Sequence, residues 1–225
     1  MARDHLGLFD TPPDRQEIRF SLIIVGLLFA ALLVILPLRD IRLGPVIAFV
    51  PTINAVMFAG ELIIAALLYA QAAVFRSRAL TVLASGYVFA ALLLAPHALT
   101  FPGAFADSGW LGAGVSTTAW LAIFRRLAFP IAIILYALLK RADSAAQPDS
   151  ERPPVSILPG LLGAIALAAL ATLLATAGHD LLPPFFLNQR EAIHANLIVM
   201  NSATIVLAIV AMALLLRQQR SVLDM

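Results

Sequence analysis

The chain has 225 residues, 61% of them hydrophobic and 12% charged, with a mean hydropathy of +0.94. Soluble domains are about half apolar and a quarter charged, so this composition excludes a disordered tail, a nucleic-acid module and almost every cytosolic enzyme. The net charge of +2 and pI near 9.5 fit a membrane protein whose few Lys and Arg gather on the cytoplasmic rim. The lack of cysteine excludes disulfides, thiolate metal sites, iron–sulfur clusters and thiol catalysis.

Residues 1–19 are polar and read as a cytoplasmic segment. Arg15 and Arg19 precede the first apolar run, as in a signal peptide. That run, 20–36, is long for a signal core and leads to Pro37-Leu38-Arg39 instead of a small-residue cleavage site, so it reads as an uncleaved membrane helix. A span needs about 20 mostly apolar residues. Further runs at 51–74, 80–96, 116–139, 155–177 and 195–216 make six. Arg39-Asp40 ends the first, and Arg76-Ser77-Arg78 separates the second from the third. His97 to Gly114 is rich in Gly, Pro and small polar residues and is expected to be a loop. Lys140 to Pro154 is a charged linker, and Gly178 to His194, with Pro183-Pro184, is the second long loop. Residues 217–225 read as the start of a further helix or of a linker to an output domain. The expected fold is all-α, a polytopic transmembrane bundle.

Lys and Arg concentrate on the cytoplasmic side of membrane proteins. One side holds ten of them, Arg3, Arg15, Arg19, Arg76, Arg78, Lys140, Arg141, Arg152, Arg217 and Arg220. The other holds three, Arg39, Arg42 and Arg190, while Arg125 and Arg126 lie inside a span. The split places both termini in the cytoplasm and the two long loops outside.

A helix rises about 1.5 Å per residue, so depth can be measured from the inner basic ring. Glu61 lies about 22 Å above Arg76, Arg125 about 22 Å above Lys140, and Asn201 about 24 Å above Arg217. Charge in hydrocarbon costs at least about 2.5–3.5 kcal/mol and is expected to face the bundle interior or water. Glu61 with Arg125 or Arg126 is thus a candidate buried pair, either locking the bundle or serving a ligand. His97, His179 and His194 end up near the outer surface, but none has the i, i+4 partner of a helical zinc site, and a haem site would want paired histidines within spans. No metal or cofactor is expected. Trp110, Trp120, Phe101, Phe105, Phe185 and Phe186 read as an outer aromatic belt. No nucleophile elbow, P-loop, HExxH or GxGxxG is present, so no catalytic residue is expected.

The block His97-Ala98-Leu99-Thr100-Phe101-Pro102-Gly103-Ala104-Phe105 is distinctive. So are Gly109-Trp110-Leu111-Gly112-Ala113-Gly114, Thr117-Thr118-Ala119-Trp120-Leu121 and Phe129-Pro130. Together they resemble the fourth class of the MASE family of integral membrane sensor domains, over roughly residues 15–225. The resemblance implies the N-terminal input of a bacterial signalling protein whose output is a histidine kinase or a GGDEF diguanylate cyclase. One departure is clear. Where the family shows an aromatic-Trp-His run before Phe-Pro, this chain has Phe124-Arg125-Arg126.

These readings lead to an expected sensor domain in a bacterial cytoplasmic membrane. It would detect a small polar or anionic molecule, or the state of the bilayer, at its outer face. Glu61, His97, Thr100, Phe101, Trp120, Arg125, Arg126, His194 and Asn201 are the candidate signal-binding residues. Expected partners are the bilayer, that ligand, and a second copy joined through an output domain outside this chain; nucleic acid is not expected. The rival reading is a small transporter or permease subunit, in which Pro51 and Pro130 would break spans two and four.

Overall fold

The computed structural model describes residues 14–38, 48–106, 109–146, 155–187 and 193–217. Arg3, Arg39, Asp40, Arg42, Arg152, Arg190 and residues 218–225 lie outside the described residues. Six helices are long and apolar enough to cross a membrane: α1 (Arg15–Ile35), α2 (Phe49–Val74), α3 (Arg78–Thr100), α4 (Thr117–Ala146), α5 (Leu158–Thr176) and α6 (His194–Arg217). No strand occurs among the described residues.

α1 and the end of α6 from Leu215 belong to one compact unit, and the chain from Ile47 to Leu214 forms another. α1 begins five residues before its apolar run because Asp14 and Glu17 form a capping box. The Asp14 carboxylate accepts from the Gln16 N–H at 2.9 Å, and Glu17 accepts from the Asp14 N–H at 2.9 Å. These two bonds satisfy backbone donors that the helix itself leaves open.

In the larger unit α3 is the central helix, with α2, α4 and α5 packed around it. Its buried residues are mostly small or aliphatic, among them Ala79, Leu80, Ala84, Val88, Ala91 and Leu94. Lipid offers no hydrophobic drive for helices to associate, so close van der Waals contact must hold them. Gly86 and Gly160 provide it. A Cβ at Gly86 would lie 2.5 Å from the Ala132 Cβ of α4, and one at Gly160 would lie 2.7 Å from Ser85 Oγ of α3. α2 and α3 form a tight hairpin. Arg76 takes a left-handed φ of 50°, the Ser77 N–H returns to the Ala72 carbonyl at 3.1 Å, and the Ser77 hydroxyl caps α3 at the Leu80 N–H.

Three expectations about helix ends need correction. α3 does not stop at Pro96 but continues to Thr100, so His97 and Thr100 sit on its last turn and not in a loop. Proline gives up only its own N–H, so α3 loses the one bond to the Leu92 carbonyl and continues, and in its last turn the Thr100 hydroxyl donates to the Pro96 carbonyl at 2.8 Å. α4 runs without a break through Pro130 to Ala146, seven residues past the expected end at 139. Pro51 occupies the first turn of α2, where a missing N–H costs nothing. Neither proline breaks a span.

Candidate functional site

Asn54 and Glu61 are seven residues apart on α2, two helical turns, and so share one face. Asn54 is 6% exposed. Arg125 projects from α4 and donates from Nη1 to Glu61 Oε1 at 2.7 Å, with the two side chains 27% and 14% exposed respectively. Arg126 is one residue on, rotated by about 100° around the helix, and is exposed. Arg125 is therefore the partner of Glu61. The second carboxylate oxygen, Glu61 Oε2, is buried and accepts no hydrogen bond from the described residues.

A second polar contact joins α2 to the end of α3. Asn54 Nδ2 lies 2.9 Å from His97 Nδ1 and 3.5 Å from the Leu94 carbonyl. With the amide as donor, Nδ1 is the acceptor, and Nε2 carries the proton of the neutral ring. The Phe101 ring stands 6.3 Å from the imidazole. Asn54 was missed in the sequence. Its spacing of seven from Glu61 was the available signal, since a polar residue two turns from a charge shares the charge's face.

The other candidates separate into two groups. Thr100 and Trp120 are buried and engaged in the scaffold. Besides its own bond to Pro96, Thr100 accepts from the Thr118 hydroxyl, at 2.9 Å on its carbonyl. His194 and Asn201 are exposed on α6, and neither side chain bonds to Glu61 or Arg125. The structure thus brings together Glu61, Arg125, Asn54 and His97 with Phe101 beside them, and leaves Arg126, His194 and Asn201 outside.

The loop end of the bundle is closed by a plug. Phe185 is fully buried among Leu93, Trp120, Leu121, Ile123, Ala168 and Ala175. Its ring lies 4.7 Å from Trp120, which in turn stands 5.3 Å from Phe124. Polar bonds hold the inserted backbone. Trp120 Nε1 donates to the Pro183 carbonyl at 3.0 Å, and the Ser116 hydroxyl accepts from the N–H groups of Phe185 and Phe186 at 2.9 and 3.2 Å. The Phe185 carbonyl accepts from the Ile193 N–H at 2.7 Å, and Asn196 of α6 donates to the Pro184 carbonyl at 2.7 Å. The same loop therefore grips α4 and the start of α6. Trp120 and Phe185 do not belong to an aromatic belt: both are interior, because the indole N–H and the loop carbonyls satisfy one another there. Trp110 and Phe105 are exposed and 6.1 Å apart.

The histidines have separate environments. His97 pairs with Asn54, His179 Nδ1 meets the Thr176 carbonyl at 2.7 Å, and His194 is exposed. Among the described residues no group of three or more His, Asp or Glu is placed to hold a metal ion.

No curated protein and no solved structure matches the chain. A family model does, over residues 45–221: MASE4, described as a membrane-associated sensor, integral membrane domain. The match takes in α2 to α6 with the Asn54–His97 and Glu61–Arg125 contacts and the plug, and begins after α1, so it is narrower than the resemblance drawn from residue 15. Six apolar helices, charges paired in the interior and this match over most of the chain lead to one conclusion: the chain belongs to the MASE4 family of membrane-associated sensors, and is its integral membrane domain.

Proposed function

We propose that this domain is the sensory input of a bacterial inner-membrane signalling protein, with both termini in the cytoplasm. It reads a small polar or anionic molecule at the outer end of the bundle and relays it to a cytoplasmic histidine kinase or diguanylate cyclase. The family's sensor role supports an input rather than a catalytic function for this chain. The observation that carries the ligand reading is Glu61. A carboxylate kept in a membrane span only to lock helices would use both oxygens, since an unpaired buried acceptor costs about 1–3 kcal/mol or more. Glu61 uses one for Arg125, and the other is buried without a donor among the described residues. A ligand N–H or O–H would complete it, while the remaining guanidinium donors of Arg125 would take the ligand's anionic or carbonyl oxygen.

The relay runs through contacts already described. Arg125 and Trp120 are on α4, Trp120 holds the plug, and the plug holds the start of α6, which leads to Arg217. A ligand that binds two arrangements of α4 with different affinity would shift their populations and move α6 with them. The test uses the full-length protein with its output attached and a panel of small polar and anionic compounds. Compounds that change output activity should lose potency at least tenfold in Glu61→Gln and Arg125→Gln, measured on the correctly inserted protein of each variant. Unaltered dose dependence in both variants would sink the ligand reading.

A further inference from the structure

α6 packs near its start on the bundle through Leu197 and Met200, and farther along leaves the polar Asn201 exposed. Leu197, Met200, Thr204, Leu207 and Ala211 are buried or half-buried, and Leu197 and Met200 pack on the cluster around Phe185. Ile198, Asn201, Ile205, Ala208 and Met212 are all exposed. Their spacing of three, four, three and four is the seam of a left-handed helix pair. Asn201 lies about 24 Å from Arg217 along the helix, inside the hydrocarbon, and its side-chain amide makes no hydrogen bond to any described residue. Hydroxyls on such a helix satisfy themselves, as Thr204 does by donating to the Met200 carbonyl at 2.9 Å. An asparagine carries two amide donors as well as an acceptor and has no such easy refuge, so its exposure needs a partner.

The chain itself offers none on its remaining helix. From Leu22 to Ile35, α1 contains no side chain able to form a hydrogen bond. A second copy fits instead. Two chains inserted with the same topology hold Asn201 at the same depth, and a two-fold axis sets each amide, donor and acceptor at once, against its equivalent. Ala208, two turns further on, lets the backbones approach.

We infer that α6 is a contact between two copies of this chain, made along Ile198, Asn201, Ile205, Ala208 and Met212 with the two Asn201 amides bonded to each other. The site lies apart from Glu61 and does not depend on what the domain senses.

The chain has no cysteine, so single-cysteine variants report the contact without background. In native membranes containing the full chain, mild oxidation of Ile205→Cys or Ala208→Cys should give a product of twice the mass. Val206→Cys and Val210→Cys, on other faces, should give little. Asn201→Leu should weaken association roughly 3- to 30-fold, read as dimer fraction by energy transfer between labelled chains, and Asn201→Gln should retain it. A photo-crosslinker at Ile205 identifies the neighbour. Equal cross-linking at all four positions, a dimer fraction unmoved by Asn201→Leu, or photo-products confined to the same chain's α1 or to a protein of another mass would each overturn the inference.

Discussion

Arg125 of α4 and Glu61 of α2 meet at 2.7 Å across 64 residues of chain. Both are largely withdrawn from the surface, so removing one strands the other in a poor solvent for charge. Glu61→Gln or Arg125→Gln should destabilise the domain by roughly 3–5 kcal/mol. The double variant should recover much of that loss, because two neutral amides can bond to each other. Denaturation in detergent micelles of the two single variants and the double gives the coupling energy; simple additivity would exclude the pair as an energetic unit.

Phe185 is a loop residue with the burial of a core residue. Phe185→Ala should cost roughly 3–5 kcal/mol, the usual range for emptying a phenylalanine site. Trp120→Phe keeps most of the apolar contact but removes the donor to the Pro183 carbonyl, and should cost about 1 kcal/mol. Thermal unfolding in one detergent ranks the two. A Phe185→Ala variant as stable as the parent would mean that the loop does not plug the bundle.

Asn54 and His97 test whether polar contacts near the loop end are mutually dependent. Asn54→Leu leaves Nδ1 of a half-buried imidazole without its donor and should cost about 1–3 kcal/mol. Adding His97→Leu removes the orphaned group, so the double variant should be more stable than Asn54→Leu alone. Equilibrium unfolding of the three proteins checks the order.

The close approach of α3 and α4 at Gly86 makes a steric prediction. Gly86→Val would drive its side chain into Ala132 and should destabilise by roughly 1–3 kcal/mol. Ala132→Gly in the same chain makes room and should return part of the loss, whereas Gly26→Val on α1, where a Cβ meets nothing within 4 Å, should be nearly neutral. Proteolysis rates of the variants in membranes give the comparison.

The division of basic residues predicts the topology. Reporter fusions at Ser144 and Gln189 should be active in the cytoplasm and outside it, respectively. A shared compartment would remove both the six-span arrangement and the outer-face site.

The six spans, and the common depth of Glu61 and Arg125, could be read from the linear sequence. Span length is a local sum of hydropathy, and depth is a count of residues at about 1.5 Å each. Rotation about each helix axis is another matter. In lipid the outward face is as apolar as the packed one, so the pattern along the chain does not mark which side is inside. Only the tertiary structure decided that Arg125 and not Arg126 turns to Glu61, that Asn54 joins His97, and that Asn201 faces away. The two helix ends and the plug depended on it for a related reason. Burying Phe185 requires partners for the backbone groups around it, and those partners are Ser116, Trp120 and Asn196, while Thr100 serves the last turn of α3. All but Thr100 lie far from the groups they serve in sequence and are brought to them by folding.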